Sequence, residues 1–71
     1  MGGALVECYS GSEYAERPKA LHWNGQRLEV EEVEHQARTP NGKVFWVRCA
    51  GGARFKLEYD LEEDRWVIET Q

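Results

Sequence analysis

The dipeptide Asn24-Gly25 constrains this chain more than any other feature. It lies between Leu21-His22-Trp23 and Gln26-Arg27-Leu28, where apolar and polar residues alternate. Asn-Gly is the strongest short signal for a two-residue type I′ hairpin turn, in which both central residues take positive φ. Pairing outward from the turn sets Trp23 against Gln26, Leu21 against Leu28 and Lys19 against Val30. Leu21, Trp23, Leu28 and Val30 then share one face, and a one-residue slip would expose all four, so that face is the core.

The rest of the chain follows the same pattern. Short β-branched or aromatic runs punctuated by turn residues predict strands over residues 4–9, 19–23, 26–38, 43–50, 53–59 and 65–69. Within the long third run Leu28 and Val30 alternate, Glu31-Glu32 intervene, and Val33, His35 and Ala37 resume in the opposite phase. One extra residue in a strand produces that shift, so a β-bulge near Glu31-Glu32 is expected. A helix over residues 28–36 is the weaker reading, because both neighbouring hairpins need the segment extended. At Thr39-Pro40-Asn41-Gly42 a three-residue Pro-Asn-Gly loop, with Gly42 left-handed, is expected to set Ala37 against Phe45, His35 against Val47 and Val33 against Cys49. That register also places Glu34 opposite Arg48. At Ala50-Gly51-Gly52 a three-residue loop pairs Cys49 with Ala53, Val47 with Phe55 and Phe45 with Leu57, at the mild cost of Arg48 facing Arg54. The acidic turn Leu61-Glu62-Glu63-Asp64 brings Tyr59 to Trp66 and Leu57 to Ile68.

The summed core is Val6, Cys8, Leu21, Trp23, Leu28, Val30, Val33, Ala37, Phe45, Val47, Cys49, Phe55, Leu57, Trp66 and Ile68, with Tyr59 at its margin. No segment remains to form a helix that could cover this face. The fold class is therefore all-β: a six-stranded antiparallel meander that buries its face by curling into a small barrel-like or strongly bent sheet.

Size sets the remaining bounds. With 71 residues the chain forms one domain, residues 1–71. Hydrophobic residues are 41% of it and charged residues 31%, which excludes a disordered acidic tail. No apolar run reaches the length of about 20 residues that a membrane helix needs. Met1-Gly2-Gly3-Ala4-Leu5-Val6 has neither a basic start nor a long apolar stretch, so no secretory signal is expected. Val6 stands where a myristoylation motif wants Ser or Thr. Cys8 and Cys49 lie in apolar runs and read as two buried, reduced thiols, which points to the cytoplasm.

Trp23-Asn24-Gly25-Gln26-Arg27-Leu28-Glu29-Val30, then Phe45-Trp46-Val47, Phe55-Lys56-Leu57-Glu58-Tyr59-Asp60 and Trp66-Val67-Ile68, form a recognisable series. Over residues 18–69 it resembles a group of small bacterial all-β domains of unknown function, with a Trp-x-Gly hairpin, a Tyr-Asp corner and a final Trp strand. The resemblance implies a bacterial, cytoplasmic protein and carries no activity or catalytic residue to transfer.

The chemistry that the side chains could support is limited. A nucleophile needs a base within hydrogen-bond reach and a third group to orient it. On the expected register His22 and His35 lie on opposite faces. Cys49 comes near His35, but in an apolar setting that raises a thiol pKa and leaves it inert. Cys8, His22, His35 and Cys49 have no metal-ligand spacing. The carboxylates at Glu29, Glu31, Glu32 and Glu34, and at Glu62, Glu63 and Asp64, read as a solvated face and an acidic turn. Gly51-Gly52 is a hairpin turn with no helix behind it, so no phosphate loop is present. No enzyme activity, metal or cofactor is expected.

Charge is more informative. The net charge is −4, yet residues 36–57 hold Arg38, Lys43, Arg48, Arg54 and Lys56 and no acid. Trp46, Arg48, Arg54 and Lys56 fall on the outward face of the fourth and fifth strands, with Val44 beside them and Val67 across from Glu58. Three readings fit. Trp46, Val44 and Val67 form a protein–protein or self-association face, since aromatics and Arg are favoured at interface centres. Alternatively, bases stack on Trp46 while the cations track the phosphates of single-stranded RNA or DNA, although a chain of net charge −4 repels nucleic acid at long range. The third is a surface cation–π cluster with no binding role. The candidate binding residues are Trp46, Val44, Arg48, Arg54 and Lys56, with Tyr14 as an outlying candidate. The expectation is a binding or accessory module whose partner is a protein or a second copy, with no role at a membrane.

Overall fold

The structure is a computed structural model and describes residues 5–8 and 17–71. Six strands follow in order: β1 (Leu5–Cys8), β2 (Pro18–Trp23), β3 (Gln26–Thr39), β4 (Gly42–Cys49), β5 (Arg54–Asp60) and β6 (Arg65–Thr70). Each pairs antiparallel with the next, in the order β1-β2-β3-β4-β5-β6. Both edge strands are paired on one side only among the described residues, so the sheet is a strongly curled half-barrel and not a closed ring. No helix among the described residues is long and apolar enough to cross a membrane.

The turns explain the meander. Asn24 and Gly25 have φ of 52° and 77°, the type I′ signature, and Trp23 faces Gln26 and Leu21 faces Leu28. Gly51 and Gly52 take φ of 89° and 90°, and the Cys49 amide donates to the Ala53 carbonyl at 2.7 Å. Phe45 then faces Leu57 and Val47 faces Phe55. In the last turn the Asp60 carboxylate accepts from the Glu62 and Glu63 amides at 2.9 and 3.2 Å. The Tyr59 hydroxyl donates to Asp64, itself at φ 54°, and Tyr59 faces Trp66.

The curl comes from β3. Its first residues pair with β2 as far as Ala20–Glu29, and Val30 then pairs with Cys49 of β4, so the expected Lys19–Val30 pair does not form. Two register shifts interrupt the β3–β4 ladder, one between Val30 and Glu32 and a second between Val33 and His35. The first is the expected bulge. The second goes with a correction at the turn. The Pro40-Asn41-Gly42 loop is in fact a two-residue Pro40-Asn41 turn, closed by Thr39 and Gly42. Gly42 is the first residue of β4 and does not adopt positive φ. A Cβ there would overlap the Tyr59 carbonyl oxygen and lie 2.9 Å from its carbon. Gly42 is thus spent on a close approach to β5, not on a left-handed turn. Consequently Ala37 faces Val44, Gln36 faces Phe45 and His35 faces Trp46, and Ala37 is exposed where core was expected.

The inner face carries the core: Val6, Leu21, Phe45, Val47, Cys49, Phe55 and Leu57 are buried, with Cys8, Trp23, Leu28, Val30, Val33, Trp66 and Ile68 packed against them. Trp23 of β2 meets Phe55 of β5 edge-on at 5.5 Å, a contact that spans the concavity and holds the curl. Burial of each large core side chain contributes about 1.5–3 kcal/mol. Ala20 is also fully buried, a position the alternation did not mark. The short β1 is fastened by Glu7, whose carboxylate accepts from His22 Nε2 at 2.8 Å and from Arg27 Nε and Nη2 at 2.9 and 3.0 Å. Those bonds, from Arg27 first and His22 second, hold the Glu7 carboxyl down at about 2.

Candidate binding face around Trp46

The outer face of β4–β6 and the distal part of β3 is built in rows. One row runs His35, Trp46, Lys56, Glu69, and the next Ala37, Val44, Glu58, Val67. Strand alternation puts Trp46 outside because Phe45 and Val47 are in the core. Trp46 is half-buried, and its ring lies 5.0 Å from that of His35 at a 41° tilt. Val67 is 41% exposed, while Val44 is only 4% exposed and lies beneath this surface. Trp46 and Val67 therefore present the apolar surface, with Lys56 and Glu58 between them in the ladder.

The two arginines lie where alternation placed them, but their acidic partners differ. Arg48 and Arg54 do face each other across β4 and β5. Arg48 Nη2 reaches Glu32 at 2.9 Å and Nη1 reaches Glu34 at 3.2 Å, with Glu31 at 3.9 Å from Nε. The other oxygen of Glu34 lies 3.5 Å from Arg54 Nε. Glu34 thus bridges both cations and offsets their repulsion. The register partner of Arg48 is Glu32, not Glu34, and it is the bulge that brings Glu34 within reach as well. Of the cations named for this face, Lys56 alone lacks an ion pair among the described residues. Tyr14 lies outside the described residues.

The Cys49–His35 pair does not assemble. Cys49 is a buried thiol facing Val30 on the inner side, and His35 stacks on Trp46 on the outer side. Burial pushes the Cys49 thiol up, and the Glu31 carboxylate adds to it. His22 faces Arg27 on the outer side too, so both histidines share a face, because the second bulge in β3, between Val33 and His35, turns His35 outward. Among the described residues no group of three or more His, Cys, Asp or Glu side chains could hold a metal ion.

One feature that spacing did not reveal is a half-open pocket of about 350 Å³ lined by Gln36, Ala37, Arg38, Lys43 and Phe45, the first three of them exposed. On the expected register Arg38 and Lys43 had no shared role, and only the Arg38–Lys43 pairing joins them. In comparison with known proteins, no protein family, no curated protein and no solved structure matches this chain.

Proposed function

We propose that this chain is a non-enzymatic association module of the bacterial cytoplasm, and that it pairs with a second copy through the outer face of β4–β6. The observation that carries this reading is the layout of the rows around Trp46 and Val67. An isologous dimer needs a patch that complements itself, with both charge signs arranged about an apolar centre. Lys56 lies between Trp46 and Glu69, and Glu58 lies between Val44 and Val67, so both signs are interleaved with the apolar residues of this face. Glu58 and Glu69 of a second copy are the acids on this face that Lys56 could meet.

The ion pairs of Arg48 and Arg54 weigh against the nucleic-acid reading. Phosphate contacts need cations free to displace the counterions condensed on the nucleic acid, and both guanidinium groups on this face already hold carboxylates. The buried Cys49 thiol accords with a reducing compartment. Sedimentation equilibrium over a wide concentration range tests the proposal. The wild type is expected to dimerise weakly, and Val67→Lys, an exposed change on an edge strand, to stay monomeric. A monomeric wild type at the highest concentration, or an undiminished dimer in V67K, would overturn it.

A further inference from the structure

We propose that the inner-face cavity at the far end of β3 and β4 binds a small oxyanion, a carboxylate or a phosphate monoester, that carries a compact apolar body. The second bulge in β3 turns polar side chains toward the concave side. The resulting inner rows are Gln36, Phe45, Leu57, Ile68 and Arg38, Lys43, Tyr59, Trp66. The concave surface therefore passes from aromatic to cationic at this end, and Gln36, Arg38, Lys43 and Phe45 line one cavity.

Arg38 and Lys43 are direct cross-strand partners. Like charges in that position repel. Elsewhere in this molecule the corresponding problem is met by a carboxylate, as Glu34 does for Arg48 and Arg54. Here no acid lines the cavity, and neither cation has an ion pair among the described residues. An oxyanion placed between them takes that part. A guanidinium offers a paired donor fork to two oxygens, the ammonium adds a point charge, and the Gln36 amide supplies a further donor. The floor is Phe45, backed by Trp66 at 6.0 Å, which suits a ring or a short chain. A volume of about 350 Å³ lies at the lower end of ligand cavities, which run from about 300 to 1,000 Å³, so the ligand is small.

The test is an amide chemical-shift titration of the full chain with phenyl phosphate, benzoate, inorganic phosphate and neutral benzyl alcohol. Saturable shifts at residues 36–38 and 43–45 are expected for the aromatic anions, at least about tenfold tighter than for benzyl alcohol. Tighter binding of phenyl phosphate with competition by inorganic phosphate assigns a phosphate ligand, and tighter binding of benzoate assigns a carboxylate. Lys43→Glu turns the repelling pair into an attracting one, so it should fold with an undiminished thermal midpoint while losing the anions by at least about tenfold. Equal affinity for benzyl alcohol, undiminished anion binding by folded K43E, or the absence of saturable shifts with every probe would overturn the proposal.

Discussion

Replacing Gly42 by alanine probes the close approach of β4 to β5 beside the β3–β4 turn. In an ordinary strand Gly→Ala stabilises, since Ala loses less conformational freedom on folding, by about 0.4–1 kcal/mol. At position 42 the added Cβ would overlap the Tyr59 carbonyl oxygen, with the Tyr59 carbonyl carbon at 2.9 Å and the Leu61 amide nitrogen at 3.3 Å. All three atoms are backbone, so no side chain can swing aside. β4 and β5 must separate at the Gly42–Asp60 pair, and the 2.7 Å hydrogen bond from the Leu61 amide to the Asn41 carbonyl stretches or breaks. Overpacking strain of about 1–3 kcal/mol and a lost hydrogen bond of about 0.5–1.5 kcal/mol outweigh the entropic gain. The net loss is about 2 kcal/mol, which for a domain of this size lowers the thermal midpoint by about 8–16 °C. Urea and thermal unfolding followed by tryptophan fluorescence measure it, since Trp66 packs 5.1 Å from Tyr59. A Gly42→Ala variant within about 0.5 kcal/mol of the wild type, or more stable than it, would refute the close approach of β4 to β5.

Three other changes probe separate parts of the molecule. The Glu7 carboxyl, at about 2 in the folded chain against 4.5 ordinarily, contributes stability that is full above pH 4.5 and is lost as pH falls toward 2. Glu7→Gln should therefore be less stable than the wild type at neutral pH and converge with it in acid, and urea midpoints that stay parallel across that window would contradict the pairing with Arg27 and His22. Thr39 Oγ1 is buried with no hydrogen-bond partner among the described residues, so Thr39→Val should be neutral or stabilising by up to about 1 kcal/mol, and a clear destabilisation in chemical unfolding would mean the hydroxyl is bonded. Glu34→Gln removes the bridge between Arg48 and Arg54; stability should fall by less than about 1 kcal/mol, an effect that salt suppresses, while binding of a single-stranded oligonucleotide at low salt should rise. An oligonucleotide titration unchanged by E34Q would show that the bridge does not mask these cations.

Much of the fold is legible in the sequence because its signals are local. Asn24-Gly25 and Gly51-Gly52 take positive φ at little cost, and the tight turns they form set the pairing of β2 with β3 and of β4 with β5 without reference to any third element. The phase break at Glu31-Glu32 likewise marks a bulge within one strand. The outward placement of Trp46, Arg48, Arg54 and Lys56 follows from alternation alone.

Only the tertiary structure decided what depends on a neighbour outside the hairpin. Pro40-Asn41-Gly42 allows a two- or a three-residue loop, and in the two-residue turn that forms Gly42 lies in β4 against Tyr59 of β5, a strand that the β3–β4 hairpin does not contain. The second bulge, between Val33 and His35, keeps Val33 opposite Val47 inside while turning Gln36 and Arg38 inward. That turn pairs Arg38 with Lys43 in one cavity and brings Glu34 to Arg48 and Arg54. Alternation tells which face a residue occupies, but a bulge resets that count, and the fit against a third strand decides which register survives.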